Sequence, residues 1–167
     1  MTRVWNWCKL QFYGFRDNIS GRYHISASLT SPFIDNQQVS LPFLIDSGSS
    51  LTFISYIAAR MVGVKYDKLP PSSLDQMING NLPAVTLPIG AILFTMPGNK
   101  TVINEILTNI YVHRPVITNE QDEVNASMLL PILGMDFLGR YRLTLQNDFC
   151  ILERWEISIS GCDLTIS

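Results

Sequence analysis

Along most of this chain apolar and polar residues alternate with a period of two, which is the period of a strand with unlike faces. Val4, Asn6, Cys8, Leu10 and Phe12 alternate with Trp5, Trp7, Lys9, Gln11 and Tyr13, and Tyr23 to Thr30 repeats the pattern. Asp35-Asn36-Gln37-Gln38 is turn-forming, so residues 23 to 45 read as a hairpin whose second strand closes on the apolar run Leu41-Pro42-Phe43-Leu44-Ile45. The period then changes: Phe53, Ile54, Ile57, Ala58 and Met61 are spaced for one helical face, with Gly63 as the stop. After the break at Pro70-Pro71-Ser72-Ser73, the Asn79-Gly80 step marks the tip of a hairpin. Ala91 to Thr95 and Val102 to Val112 read as strands around the turn Pro97-Gly98-Asn99-Lys100, and Asn119 to Glu123 as a solvated loop.

Leu129 to Leu133 is wholly apolar, as a strand buried on both faces would be. Gly134, which follows it, permits a backbone approach that a side chain would block. Arg140 to Leu145 and Phe149 to Ile159 alternate as two further strands joined at Gln146-Asn147-Asp148, and Cys162 to Ile166 forms a last segment. The chain contains no internal repeat and no low-complexity stretch.

Composition narrows the class. The 167 residues fit a single domain spanning 1–167, with 47% hydrophobic and 16% charged residues. A chain of this size buries about 70% of the surface its unfolded form exposes. A formal charge of −2 offers no electrostatic reason to expect nucleic acid as a partner. No apolar run reaches the ~18 residues of a membrane span. The first nine residues place polar groups where an export signal needs its apolar stretch, so the expected location is the cytoplasm. Cys8, Cys150 and Cys162 are odd in number and lack C-x-x-C spacing, which suits buried thiols better than a disulfide framework or a zinc knuckle.

The chemistry concentrates at Asp46-Ser47-Gly48, where the strand ending at Ile45 delivers a carboxylate into a tight turn. The triplet alone is a weak signal, since roughly one chain in ten of this length would carry an Asp-(Ser/Thr)-Gly by accident. Its surroundings strengthen it. The phrase Leu44 to Ser55, followed by Ala58 to Val64, resembles the active-site strand, loop and short helix of retropepsin-like aspartic proteases, most of all the retrotransposon-type members. Ile132-Leu133-Gly134-Met135-Asp136-Phe137-Leu138 resembles the second signature of the same family, an apolar strand ending at Gly and passing into a helix. The resemblance covers residues 40 to 152. It implies a mostly β, retropepsin-like acid protease fold, homodimeric, with one short helix after the active-site loop and one near residues 134–139.

For function the resemblance implies an aspartic endopeptidase acting on polypeptide in extended conformation, with no metal or organic cofactor. Asp46 is the catalytic residue, and because the motif occurs once, the dyad requires Asp46 from two chains. Ser47 would send its hydroxyl across the dimer axis, and Gly48 would let the loop pass close to the carboxylates. Ser49 lies within reach of the outer oxygen of Asp46. Ser50 is read as a cap of the following helix. Ile132, Leu133 and Gly134 form the second-signature strand. Ile78, Asn79, Gly80 and Asn81 suit a plain surface hairpin as well as a flap, and the resemblance favours the flap. Asp136, early in the second helix, is read as structural, favoured there by the helix dipole. Retroviral members pair an Asp with an Arg where this chain has Ser50 and Met135, so that ion pair does not carry over.

Other classes fare less well. A serine hydrolase lacks its G-x-S-x-G elbow, and His24 and His113 sit in strand-like segments. A metalloenzyme lacks H-E-x-x-H and clustered Cys/His ligands. The alternative that survives is a catalytically silent retropepsin-like dimerisation or peptide-binding module, gripping extended chains by strand pairing.

Overall fold

The computed structural model describes residues 6–70, 76–78, 82–96 and 100–158, and strands dominate them. In chain order these are β1 (Asn6–Arg16), β2 (Tyr23–Thr30), β3 (Ser40–Ile45), β4 (Phe53–Ile54), β5 (Gln76–Ile78) and β6 (Leu82–Leu87). Then come β7 (Gly90–Met96), β8 (Lys100–Leu107), β9 (Ile110–His113), β10 (Ile132–Leu133), β11 (Arg142–Leu145) and β12 (Phe149–Ser158). Helices α1 (Tyr56–Val62), α2 (Glu120–Ser127) and α3 (Met135–Leu138) are short. None is long and apolar enough to cross a membrane.

The main path of the sheet runs β11-β12-β1-β2-β3-β10-β4-β9-β6-β5. One edge of β2 is shared: its first residues pair with β1, its last with β7, which in turn pairs with β8. Alternation along β2 and β3 turns Ile25, Ala27, Leu29, Leu41 and Phe43 into the main core, where Ile92 and Phe94 of β7, Val62 of α1 and Phe137 of α3 meet them. Each of these side chains larger than alanine contributes about 1.5–3 kcal/mol of burial. Phe12 of β1 stacks on Phe94, with ring centroids 4.5 Å apart. A smaller cluster lies on the opposite face around Phe53 and Ala84, flanked by Leu82, Tyr111, Leu129 and Ile132.

The hairpin of residues 23 to 45 is present as β2 and β3 in antiparallel register. Four local expectations change. The helix does not begin at Phe53: Phe53 and Ile54 form β4, and Ser55 caps α1 by accepting from the Ala58 N–H at 3.3 Å. Burial on both faces of a sheet, rather than one helical face, explains their apolar character. The segment Val102 to Val112 splits at the exposed Thr108 and Asn109, so that β9 leaves β8 and runs parallel to β4. Residues 119–123 are not a loop. Asn119 caps α2 by accepting from the Asp122 N–H at 3.0 Å, and the acidic first turn suits the helix dipole. Of the run Leu129 to Leu133, only Ile132–Leu133 is strand.

β1 and β12 pair with each other, from Asn6↔Ser158 to Phe15↔Phe149, and form a long antiparallel ribbon within the chain. Cys150 on β12 is buried and free, and burial pushes its thiol pKa up. Residues 159–167, including Cys162, lie outside the described residues.

One polar cluster ties the second half of the fold together. The Glu105 side chain on β8 is 5% exposed; it accepts from Arg140 at 2.7 Å and from the Tyr141 hydroxyl at 2.8 Å, and it pairs with Arg154 of β12. A buried carboxylate requires such partners, because dehydrating an unpaired charge costs several kcal/mol. Replacement of Glu105 by Ala leaves two guanidinium groups without this carboxylate. Both still reach water, so the expected loss is about 2 kcal/mol, below the ~3–5 kcal/mol of a fully sealed pair. Urea unfolding measures it, and a midpoint equal to wild type would show that the cluster contributes nothing.

Candidate active site

Asp46 stands immediately past the end of β3, where the strand leaves the core. Leu41 and Phe43 anchor β3 from within, at 1% and 0% exposure, so the position of Asp46 is set by a buried strand. The neighbouring strand is β10, which is parallel to β3 with Ile132 opposite Leu44 and Leu133 opposite Ile45. On its other side β10 is antiparallel to β4, with Ile132 opposite Phe53. A short strand from late in the sequence is thus threaded between two early ones. The Leu44 N–H donates to the Pro131 carbonyl at 2.8 Å, and the Asp46 N–H to the Leu133 carbonyl at 3.2 Å.

The loop after Asp46 is folded on itself and on the start of α3. Asp46 Oδ1 accepts from the Gly48 N–H at 2.9 Å, and the Asp46 carbonyl accepts from the Ser49 N–H at 3.2 Å. The Met135 and Asp136 N–H groups donate to the Ser49 and Ser50 carbonyls at 2.8 and 3.2 Å. A side chain at Gly134 would lie 2.3 Å from the Leu51 carbonyl oxygen, so only glycine permits this approach. The two sequence signatures therefore meet in space.

A residue that the motifs did not single out holds the junction. Thr52 is fully buried; its hydroxyl donates to Asp136 Oδ1 at 2.7 Å and accepts from the Gly134 N–H at 3.3 Å. Its own N–H donates to Asp136 Oδ2 at 3.0 Å. The signal was a Thr within an otherwise apolar Leu51-Phe53-Ile54 stretch, where a buried hydroxyl demands partners. Asp136 is structural, as its position suggested, but it acts through Thr52 rather than chiefly through the helix dipole.

Asp46 is half-buried, and Ser47 and Gly48 are exposed. The Ser49 hydroxyl does not reach Asp46. It donates to the Leu51 carbonyl at 2.8 Å, because the turn carries its side chain away from the carboxylate and toward a backbone acceptor. Ser50 caps no helix, since Ser55 fills that place. Ile132 and Leu133 form β10 beside β3, and Gly134 follows them at the start of α3. Of the hairpin residues, Ile78 ends β5 opposite Leu82 of β6, with Met77 opposite Pro83 and Gln76 opposite Ala84. Asn79, Gly80 and Asn81 lie outside the described residues.

A crystal structure of a retropepsin-like aspartic protease from Rickettsia conorii superposes with a TM-score of 0.52 at 21% identity, covering 94% of this chain and all of the other. The chain has the retropepsin-like fold. No family model matches the sequence, and no curated protein matches it.

The retropepsin-like sheet also buries both histidines. His24 on β2 is 6% exposed and His113 on β9 is 4% exposed, and burial lowers the pKa of each from the ordinary 6.5. For His24 the nearby Asp17 opposes that effect. His113 packs against Phe53 and pairs in register with Ala84, and its Nδ1 is buried without a hydrogen-bond partner.

Two predictions follow from these contacts. Thr52→Val leaves a buried carboxylate oxygen and an N–H without their hydroxyl partner, and Asp136→Ala removes the other half; each should cost about 2 kcal/mol. Because they act on one network, the double variant should cost clearly less than their sum, and strict additivity in denaturant unfolding would dissolve the network. The second prediction concerns acid. The unfolded chain binds protons below about pH 6.5 while the folded histidines resist them, so stability falls as pH drops through that range. His113→Phe should melt with a smaller change than wild type between about pH 7.5 and about pH 5, and an equal change would clear His113 of that role.

Proposed function

We propose that this chain is an aspartic endopeptidase whose working unit is a homodimer, with the two Asp46 carboxylates side by side across the two-fold axis. The observation that carries this reading is the presentation of Asp46 at the end of a buried strand, in a turn clasped by the strand and helix of the second signature. A likeness of the Leu44 to Ser55 phrase to retrotransposon-type members supports the same assignment at the level of the loop.

In this reading, one Asp46 is ionised and the other protonated, because two close carboxylates repel and retain one proton between them. The ionised Asp46 takes a proton from water as its oxygen attacks the peptide carbonyl, while the protonated partner gives its proton to the carbonyl oxygen. The resulting gem-diol collapses when the newly protonated Asp46 gives its proton to the amide nitrogen and the C–N bond breaks, while a gem-diol hydroxyl passes its proton to the ionised Asp46 as it becomes the product carbonyl, so the dyad again holds one proton. Substrate lies extended beneath the hairpin of β5 and β6, whose tip at Asn79, Gly80 and Asn81 acts as the flap. Ser47 lends its hydroxyl to the partner's loop. No metal or organic cofactor enters the scheme.

Asp46→Asn should abolish cleavage of an unfolded protein while the chain still folds. Because the Ser49 hydroxyl is committed to the Leu51 carbonyl, Ser49→Ala should leave kcat/KM close to that of wild type. Activity that survives Asp46→Asn would overturn the aspartic mechanism. An active species that sediments as a monomer would overturn the dimer, and peptide binding without any cleavage would favour the silent module.

A further inference from the structure

A single row of cross-strand pairs runs through the sheet on the side that carries Asp46. Phe15 of β1 opposes His24 of β2, His24 opposes Leu44 of β3, and Leu44 opposes Ile132 of β10. Directly opposed residues point to one side of a sheet, and Asp46 stands two positions past Leu44, so alternation returns its side chain to that same side. The aromatic end of the row belongs to β1, a strand that carries neither sequence signature.

Phe15 is held in a fixed orientation. Its ring stacks on His24 with centroids 5.5 Å apart and planes inclined by 18°, and His24 is 6% exposed while Phe15 is 47% exposed. The imidazole is thus a covered base and the phenyl ring an open wall. The preceding Gly14 makes the approach possible, since a Cβ there would lie 2.2 Å from the His24 carbonyl oxygen and 2.5 Å from Cys150 Sγ. A ring stacked in this way offers a flat apolar surface whose orientation is already set before a ligand arrives.

The geometry points to Phe15, backed by His24, as the wall of a distal substrate subsite that takes a large apolar or aromatic side chain. Two strand spacings separate Phe15 from Leu44, roughly 10 Å, and an extended peptide advances roughly 3.3 Å per residue. The side chain received there lies about three residues from the bond that is cut. The assignment rests on the peptidase reading of Asp46, and it adds a selectivity that the two signatures do not encode.

Matched peptides carrying Phe or Ala three residues from the scissile bond test it, on either side of that bond, with wild type, Phe15→Ala and Phe15→Trp. Wild type should favour the Phe peptide by roughly tenfold in kcat/KM, Phe15→Ala should bring that ratio close to one, and Phe15→Trp should keep it. Equal loss on both peptides, together with a dimer weakened in sedimentation, would assign Phe15 to contact between copies and overturn the subsite. The same peptides are titrated by fluorescence anisotropy against Asp46→Asn protein with and without Phe15→Ala. Phe15-dependent discrimination in binding, with no cleavage by wild type, supports the wall and sinks the peptidase reading. Absence of Phe15-dependent discrimination in both assays overturns the wall.

Discussion

Asp136 grips Thr52 by both its backbone N–H and its hydroxyl, and the hydroxyl in turn receives the Gly134 N–H. This buried junction fastens the loop that follows Asp46 to the strand-helix bend from late in the chain. With Thr52 at 0% exposure, water cannot replace a lost partner, so the three groups must be satisfied together or not at all. The path of β10 between β3 and β4 depends on the same place. If the Gly134 backbone could not approach Leu51, the late strand would have no route between the early ones.

From that junction the sheet distributes its side chains by simple alternation. One face packs Phe43, Ile54, Val112 and Leu133 into the main core, and the other carries Leu44, Phe53, Tyr111 and Ile132 beside Asp46. The first face is dry and complete within one chain. On the second, Asp46 is half-covered and the following Ser47 and Gly48 are open, an arrangement suited to receiving further groups. A general base and a protonated partner cannot both be drawn from one carboxylate, which is the chemical reason a second copy enters the proposed mechanism.

A fold shared with the Rickettsia conorii protein at 21% identity is what strand patterning allows. Strand alternation requires only apolar character at inward positions, so most of the sheet tolerates wide change. Residues that cannot vary freely are few and local: a glycine whose backbone touches a neighbour, a buried hydroxyl with a carboxylate to serve, and an acidic residue at a strand end. Elsewhere the fold is held by Glu105 with Arg140, Arg154 and Tyr141, and by the long ribbon of β1 with β12.

Period and punctuation in the sequence determined much of this architecture. The alternation over Tyr23 to Thr30, the turn at Asp35 to Gln38 and the stop at Gly63 are local properties, and each is present where the pattern puts it, while the apolar run before Gly134 is strand only at Ile132–Leu133. Local pattern failed where tertiary packing assigned a segment its role. Phe53 and Ile54 match a helical face as well as a two-sided strand, and only their place between β10 and β9 makes them strand. Helix α2 escaped detection because it buries little more than Ala126, so its evidence lay in the Asn119 cap and acidic first turn instead of in periodicity. The direction of the Ser49 hydroxyl, the Thr52 clasp on Asp136 and the stacking of Phe15 on His24 were decided by tertiary structure alone. Each depends on atoms far apart in sequence, or on the path of a turn, and a one-dimensional pattern carries neither.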